Sequence, residues 1–235
     1  ANMYEIMEFA KEHNLTVIED CCQAHGAEFN DKKVGSIGDT GCFSFYVAKN
    51  MQVCGDGGAI VTNNDDVAEQ VRMLRNHGRR IKYKHEKLGY NFRFDEMNAA
   101  VGLVQLKKLP EFVDERRKVA NMYREKLKDV KEITLPQEIH GKHAYHLFVI
   151  RAKERDKLGE FLKEKGIQTL IHYPYPTHTQ EGTLVTLKER NLEMPQNLPV
   201  IERVAQEILS LPMHPTLTGE DIDYVCDAIK KFFNK

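Results

Sequence analysis

Three short apolar runs, each closed by polar or glycine-rich residues, punctuate the first third of the chain. Leu15 to Ile18 leads into Glu19-Asp20 and predicts a buried parallel strand with acids at its C-terminal end. Gly41 to Tyr46 and Gly58 to Thr62 predict two further strands. Around these runs the period becomes helical. Met3, Ile6, Met7 and Ala10 share one face, with Asn14 as a stop, and Asp65 to Leu74 places Val67, Val71 and Leu74 on one side. Strands alternating with helices predict an α/β architecture.

Arg93 to Leu109 predicts another helix, and Pro110 opens the next, which runs to about Val130 with Phe112, Val119, Met122 and Leu127 inward. The style then changes. His143 to Ile150 is β-rich, Lys157 to Lys165 is a short helix ended by Gly166, and Ile167 to His172 is an apolar strand. Leu198 to Leu209 is helical. Thr218 caps a last helix, with Asp221 able to reach back to the cap, and Ile222, Val225, Ile229 and Phe233 form its buried face. A boundary near residue 130 divides a larger α/β part, residues 1–130, from a small α+β domain, residues 131–235.

The chain has 235 residues, 41% hydrophobic and 29% charged, which suits one or two globular domains. A net charge of -1 gives no electrostatic case for nucleic acid or an anionic membrane as partner. No apolar run approaches the ~20 residues of a membrane span, and the N-terminus lacks a signal-peptide pattern. Five cysteines without a CxxC pair argue against a disulfide framework and a zinc ribbon, and point to a reducing cytoplasm. The tightest basic cluster, Arg79-Arg80 with Lys82, Lys84 and Lys87, reads either as a solvated loop or as an anion site.

Ligands of open α/β sheets gather at the C-terminal ends of strands. Asp20 stands at one such end, with Gln23 and His25 beyond it, as a ligand group or as a helix cap. Ser44 lies between Phe43 and Phe45, so its hydroxyl needs a partner, either backbone or a bound oxyanion. Lys49 follows directly, ahead of Gly55-Asp56-Gly57-Gly58, and is a candidate for Schiff-base chemistry or a surface group. Gly89-Tyr90-Asn91 with Arg93 is a polar and aromatic cluster or a turn. His172 to Gln180 is too proline-rich for a central strand and reads as a rigid binding loop. Its two histidines lack a third ligand at metal-site spacing, so no metal is expected.

Val17 to Ala27 (VIEDCCQAHGA), Gly41 to Thr62 (GCFSFYVAKNMQVCGDGGAIVT), Arg72 to Gly78, Gly89 to Gln105 and His172 to Gln180 resemble, in order and close to spacing, the DegT–StrS family of sugar aminotransferases. The resemblance implies a fold type I pyridoxal-phosphate enzyme: part of its large domain over residues 1–130, then the small C-terminal domain. It implies that Lys49 holds the cofactor covalently and shuttles a proton, and that Asp20 pairs with the pyridine nitrogen. Gln23 would lie near the ring and its 3-hydroxyl, and Ser44 on the phosphate. Asn91 would reach the phosphate of a neighbouring subunit's cofactor, making a homodimer. Lys49 argues against the family branch that carries histidine there and performs dehydration.

The implied reaction moves an amino group from an amino acid, glutamate in the first instance, to a keto sugar carried on a nucleotide. The Gly-Asp-Gly-Gly string and the His-Tyr-Pro-x-Pro-x-His loop are more like members acting on 3-keto sugars. They imply a 3-keto-6-deoxyhexose as acceptor with His172 in contact with it. Family members carry a further N-terminal region with a phosphate loop and a ring-stacking aromatic residue. Nothing stands upstream of Ala1 here, so the chain is either a fragment or completed by a partner. The non-enzymatic alternative is a truncated, inactive relative serving as partner subunit or regulator.

Overall fold

A computed structural model of the protein describes residues 1–193 and 197–234. The chain divides into two compact units, residues 1–117 with 138–146, and residues 118–137 with 147–235. The architecture is α/β, as the alternation of apolar runs predicts.

The first unit opens with α1 (Met3–Glu12), then β1 (Ile18–Asp20), the hairpin β2 (Glu28–Phe29) and β3 (Lys32–Lys33), β4 (Thr40–Ser44) and β5 (Gly58–Thr62). It continues through α2 (Asp65–Leu74), the hairpin β6 (Arg79–Ile81) and β7 (Lys84–His85), and the start of α3 (Glu96–Leu127). Its main sheet has the order β1-β4-β5, with β1 parallel to β4 and β5 antiparallel to it. Met51, Leu109, Val113 and Ala144 form a buried cluster in this unit.

The first strand sits three residues later than the apolar run predicts. Ile18 is exposed, while Glu19 is buried at 8% exposure. The Glu19 carboxyl group sets this register. Its Oε2 accepts the Gly35 N–H at 2.8 Å, and its Oε1 accepts those of Ile37 and Gly38 at 2.8 and 2.7 Å. A buried polar group must find partners, and these three donors lie on the loop that feeds β4.

Pro110 does not begin a helix; it lies inside α3, which is continuous through it. Proline removes one helical hydrogen bond. Here the residue four earlier, Leu106, is half exposed and its carbonyl can turn to water, while Leu109 and Val113 are buried on either side. Burial on both flanks holds the helix through the defect.

The second unit comprises the end of α3, β8 (Ile133–Thr134), β9 (Phe148–Ala152), α4 (Arg155–Glu164), a short 3₁₀ turn at Thr177–Thr179, α5 (Glu181–Glu189), α6 (Pro199–Glu207), β10 (Ile208–Leu211) and α7 (Gly219–Phe232). Its antiparallel sheet has the order β10-β9-β8. Tyr123, Leu127, Phe148, Ile150, Leu158, Leu162, Ile222 and Ile229 are fully buried around it. The Thr218 cap is present with its reciprocal Asp221 bond.

Three expected elements differ here. The β-rich run His143 to Ile150 gives only β9, over Phe148–Ala152, and Tyr145 within it takes a left-handed φ of 43°. The helix predicted over Leu198 to Leu209 stops at Glu207, and β10 follows. The buried Arg155 Nη1 donates to the carbonyls of Ala205 and Ile208 at 3.3 and 3.0 Å. A guanidinium at these last carbonyls satisfies the helix end and complements its dipole. The expected strand Ile167 to His172 is reduced to one bridge, Leu170 with Ser210, because Pro174 and Pro176 just beyond have no N–H to extend the pairing.

Glu19→Gln replaces one of two acceptors with an amide that faces a backbone N–H. The unfolding free energy is expected to fall by about 1–3 kcal/mol, read as a lower urea midpoint at unchanged slope. An unchanged midpoint would show that the three bonds do not set the register.

Candidate functional site

Asp20 pairs with Cys42 across the parallel β1–β4 ladder, and Ser44 ends β4 two residues later. Both strands run the same way, so the two side chains stand at the carboxyl edge of one sheet. Gly58, the first residue of the antiparallel β5, pairs with Ser44 and closes the same edge. A side chain at Gly58 would meet the Phe43 carbonyl at 2.8 Å, so only glycine lets β5 approach there.

The Asp20 carboxylate is exposed and accepts the Cys22 N–H at 3.0 Å. Its pKa is lowered below the usual value, first by hydrogen bonding from the Cys22 side chain and backbone, with the Lys49 charge adding to the same effect. The Cys22 thiol is pushed up to about 11, by burial first and then by its bond to Asp20. Cys22 is a partner of Asp20 that the sequence reading did not single out.

Lys49 is half-buried in the compact loop between β4 and β5. Its N–H donates to the Tyr46 carbonyl at 2.9 Å, and the Val53 N–H donates to that of Phe45 at 3.1 Å. The Ser44 hydroxyl accepts the Tyr46 N–H at 3.3 Å. Its partner in this structure is therefore backbone, and that bond leaves the O–H free to donate. Gln23 is exposed just beyond Asp20.

His25 is buried at 2% exposure, with its ring 5.5 Å from that of Phe43. Neither ring nitrogen makes a well-formed hydrogen bond. Burial lowers its pKa, the nearby Ser44 backbone opposes this, and the Lys49 charge lowers it further. The imidazole is thus a neutral group beneath the end of β4. Asp20, Ser44, Lys49 and His25 are brought together within the first unit.

Asn91 is exposed and bridges to Asn76. Backbone bonds hold the segment that carries it: Tyr90 N–H donates to the Leu74 carbonyl at 2.7 Å and Phe92 N–H to that of Arg75 at 2.9 Å. Gly78 and Gly89 cross so closely that a side chain on Gly89 would meet the Gly78 nitrogen at 2.0 Å. In the basic hairpin beside it, Arg80 pairs with Glu69 and Glu86, and Lys87 with Gln70. This favours the solvated-loop reading over an anion site.

In the second unit, the half-buried His172 holds the Ser210 hydroxyl at 2.8 Å through Nδ1. Burial lowers its pKa. His178, in the same loop, contacts Glu202 at 3.1 Å.

The DegT/DnrJ/EryC1/StrS aminotransferase family matches residues 1–230. The chain is 42% identical, over 99% of its length, to the pleiotropic regulatory protein of Geobacillus stearothermophilus. It is also 42% identical, over 98%, to the dTDP-3-amino-3,6-dideoxy-alpha-D-galactopyranose transaminase of Aneurinibacillus thermoaerophilus. The crystal structure of S. venezuelae DesV in complex with a ketimine intermediate superposes with a TM-score of 0.92 at 38% identity and covers the whole chain. The chain spans 62% of the length of each of these relatives. Among the described residues no helix is long and apolar enough to cross a membrane.

The environment of His172 predicts its titration. Its ring should titrate below 6.5, the ordinary histidine value, in a pH series of imidazole NMR shifts. A midpoint at or above that value would mean that burial does not keep this ring neutral.

Proposed function

The chain belongs to the DegT/DnrJ/EryC1/StrS aminotransferase family, and on that premise we propose that it carries a pyridoxal-phosphate-dependent transamination of a nucleotide-linked keto sugar. The observation that carries this reading is the meeting, at one sheet edge, of an acidic carboxylate, an amine and a hydroxyl with a free proton. That donor set fits a cofactor with a cationic ring nitrogen, a reactive carbonyl and a phosphate. When bound, pyridoxal phosphate supplies an electron sink for the substrate carbon.

The chain's own residues do the rest. Asp20, kept acidic by the Cys22 N–H and thiol, remains a carboxylate and so holds the ring nitrogen in its protonated form. Lys49 would hold the cofactor covalently, and its amine, when free, would carry a proton between the substrate carbon and the cofactor. Its loop is closed by two backbone bonds. Ser44 donates its remaining proton to the phosphate, and Gln23 borders the ring.

Asn91 acts on the phosphate of a neighbouring protomer, which makes a homodimer part of the active assembly. Exposed Tyr90 and Phe92, with rings stacked at 4.9 Å, flank it and support an apolar contact there. The amino donor is glutamate. The acceptor is a 3-keto-6-deoxyhexose on a nucleotide, and His172 contacts the sugar. The Aneurinibacillus relative is named as a transaminase of a 3-amino sugar, which supports this regiochemistry.

The intact protein is expected to show the near-visible absorbance of a covalently linked cofactor, and Lys49→Ala to lose both it and turnover while the fold survives. Undiminished turnover in Lys49→Ala would end the proposal. Asp20→Asn, which keeps the shape and removes the charge, is expected to lower kcat by about 10²-fold or more, and a normal rate would leave Asp20 a structural cap. Supplied with glutamate and either the 3-keto or the 4-keto nucleotide sugar, the enzyme is expected to aminate at C3. Exclusive amination at C4 would overturn the regiochemistry alone.

A further inference from the structure

The residue after Lys49 is buried and polar, and neither of its bonds is local. Asn50 is 5% exposed. Its Nδ2 donates to the carbonyl of Ala144 at 2.9 Å, and its Oδ1 accepts from Nδ1 of His146 at 3.3 Å. The amide thus spends one donor and one acceptor on a three-residue segment more than ninety positions away along the chain.

That segment is itself held in place. Tyr145, at its centre, is buried and adopts a φ of 43°, a left-handed conformation that costs a non-glycine residue energy. The carbonyls of Tyr145 and His146 both accept from Nη1 of Arg116, at 3.1 and 3.2 Å. Arg116 is a buried guanidinium on α3, and burial lowers its pKa to about 10. Next to Asn50, Met51 packs in the same buried cluster as Ala144. Both residues that follow the lysine are therefore fastened to one strained segment, which a helix cation braces from behind.

A half-buried lysine on a loop has four rotatable side-chain bonds and needs a fixed backbone origin if its amine is to meet one atom reproducibly. The two backbone bonds end on the Phe45 and Tyr46 carbonyls, so they close the loop onto itself and give no tie to a distant segment. The Asn50 amide supplies that external tie. We propose that Asn50 is the positioning residue of Lys49, and that Ala144 to His146, braced by Arg116, forms the clamp that sets where the lysine amine stands. This rests on the reading of Lys49 as the residue that bonds the cofactor covalently.

The amide is matched to its partners by hydrogen-bond polarity. In Asn50→Asp an oxygen replaces Nδ2 opposite the Ala144 carbonyl, so acceptor faces acceptor in a buried site. The test compares two cofactor forms on the intact protein. Pyridoxal phosphate engages the lysine amine covalently, while pyridoxamine phosphate occupies the same site without using it. A positioning defect weakens the first alone; a general structural defect weakens both.

Binding of each form is measured by fluorescence titration. In Asn50→Asp the Kd for pyridoxal phosphate is expected to rise about tenfold, roughly one lost buried hydrogen bond, while that for pyridoxamine phosphate stays within about twofold. His146→Gln, a milder change that removes the Oδ1 partner in its present geometry, is expected to shift the same ratio in the same direction. It carries the test if Asn50→Asp does not fold. Equal weakening of both forms, or no change in either, would overturn the clamp. Lys49→Ala separates the two readings: retention of the covalent absorbance there would sink the role of Lys49 itself, whatever the Asn50 variants do.

Discussion

Glu19 is a carboxyl group placed where water does not reach, and its three backbone donors decide which way β1 faces. Side chains alternate across a strand, so a Glu19 turned inward obliges Asp20 to turn outward to the opposite face. A slip of one residue would exchange them, burying Asp20 among donors meant for its neighbour and leaving Glu19 at the edge. The donors themselves, Gly35, Ile37 and Gly38, lie on the loop entering β4. One buried group therefore fixes both the face of β1 and the entry of its parallel partner.

From that register the remaining positions follow by counting. Asp20 stands level with Cys42, so Ser44 ends its strand one pleat farther on the same side of the sheet, and the loop after it brings Lys49 back toward the carboxylate. The lysine charge helps to keep Asp20 acidic. The stronger cause is nearer, the N–H and thiol of Cys22 two residues on. An edge carboxylate with local donors of its own stays ionised with or without a distant cation, as the role proposed for Asp20 requires.

Much of this was legible in the sequence because it is local. The spans of α2 and β5, the Thr218–Asp221 capping box and the convergence of Asp20, Ser44 and Lys49 all depend on residues within a few positions of each other or on strand order. Two of the misreadings depended on partners far along the chain. The end of α6 is set by Arg155, some fifty residues earlier. The continuity of α3 through Pro110 depends on a buried cluster that includes Met51 and Ala144. Nothing in the sequence neighbourhood of Asn50 announces that its amide is spent on Ala144 and His146.

Across this unit the positioning is done chiefly by backbone groups. Glu19 is held by three N–H donors, Asp20 by one, Ser44 by the N–H of Tyr46, and the segment of Asn91 by carbonyls at the end of α2. Backbone donors cannot change rotamer, so each side chain they hold loses freedom before any ligand arrives, and less remains to be ordered on binding. Lys49 is the exception. In its proposed role its working atom is four bonds beyond its Cβ, and no backbone group can hold it without occupying the nitrogen that would react. The only way to restrict such an amine while leaving it free is to fix the backbone from which it starts. Two local bonds and the buried amide of its neighbour do that here.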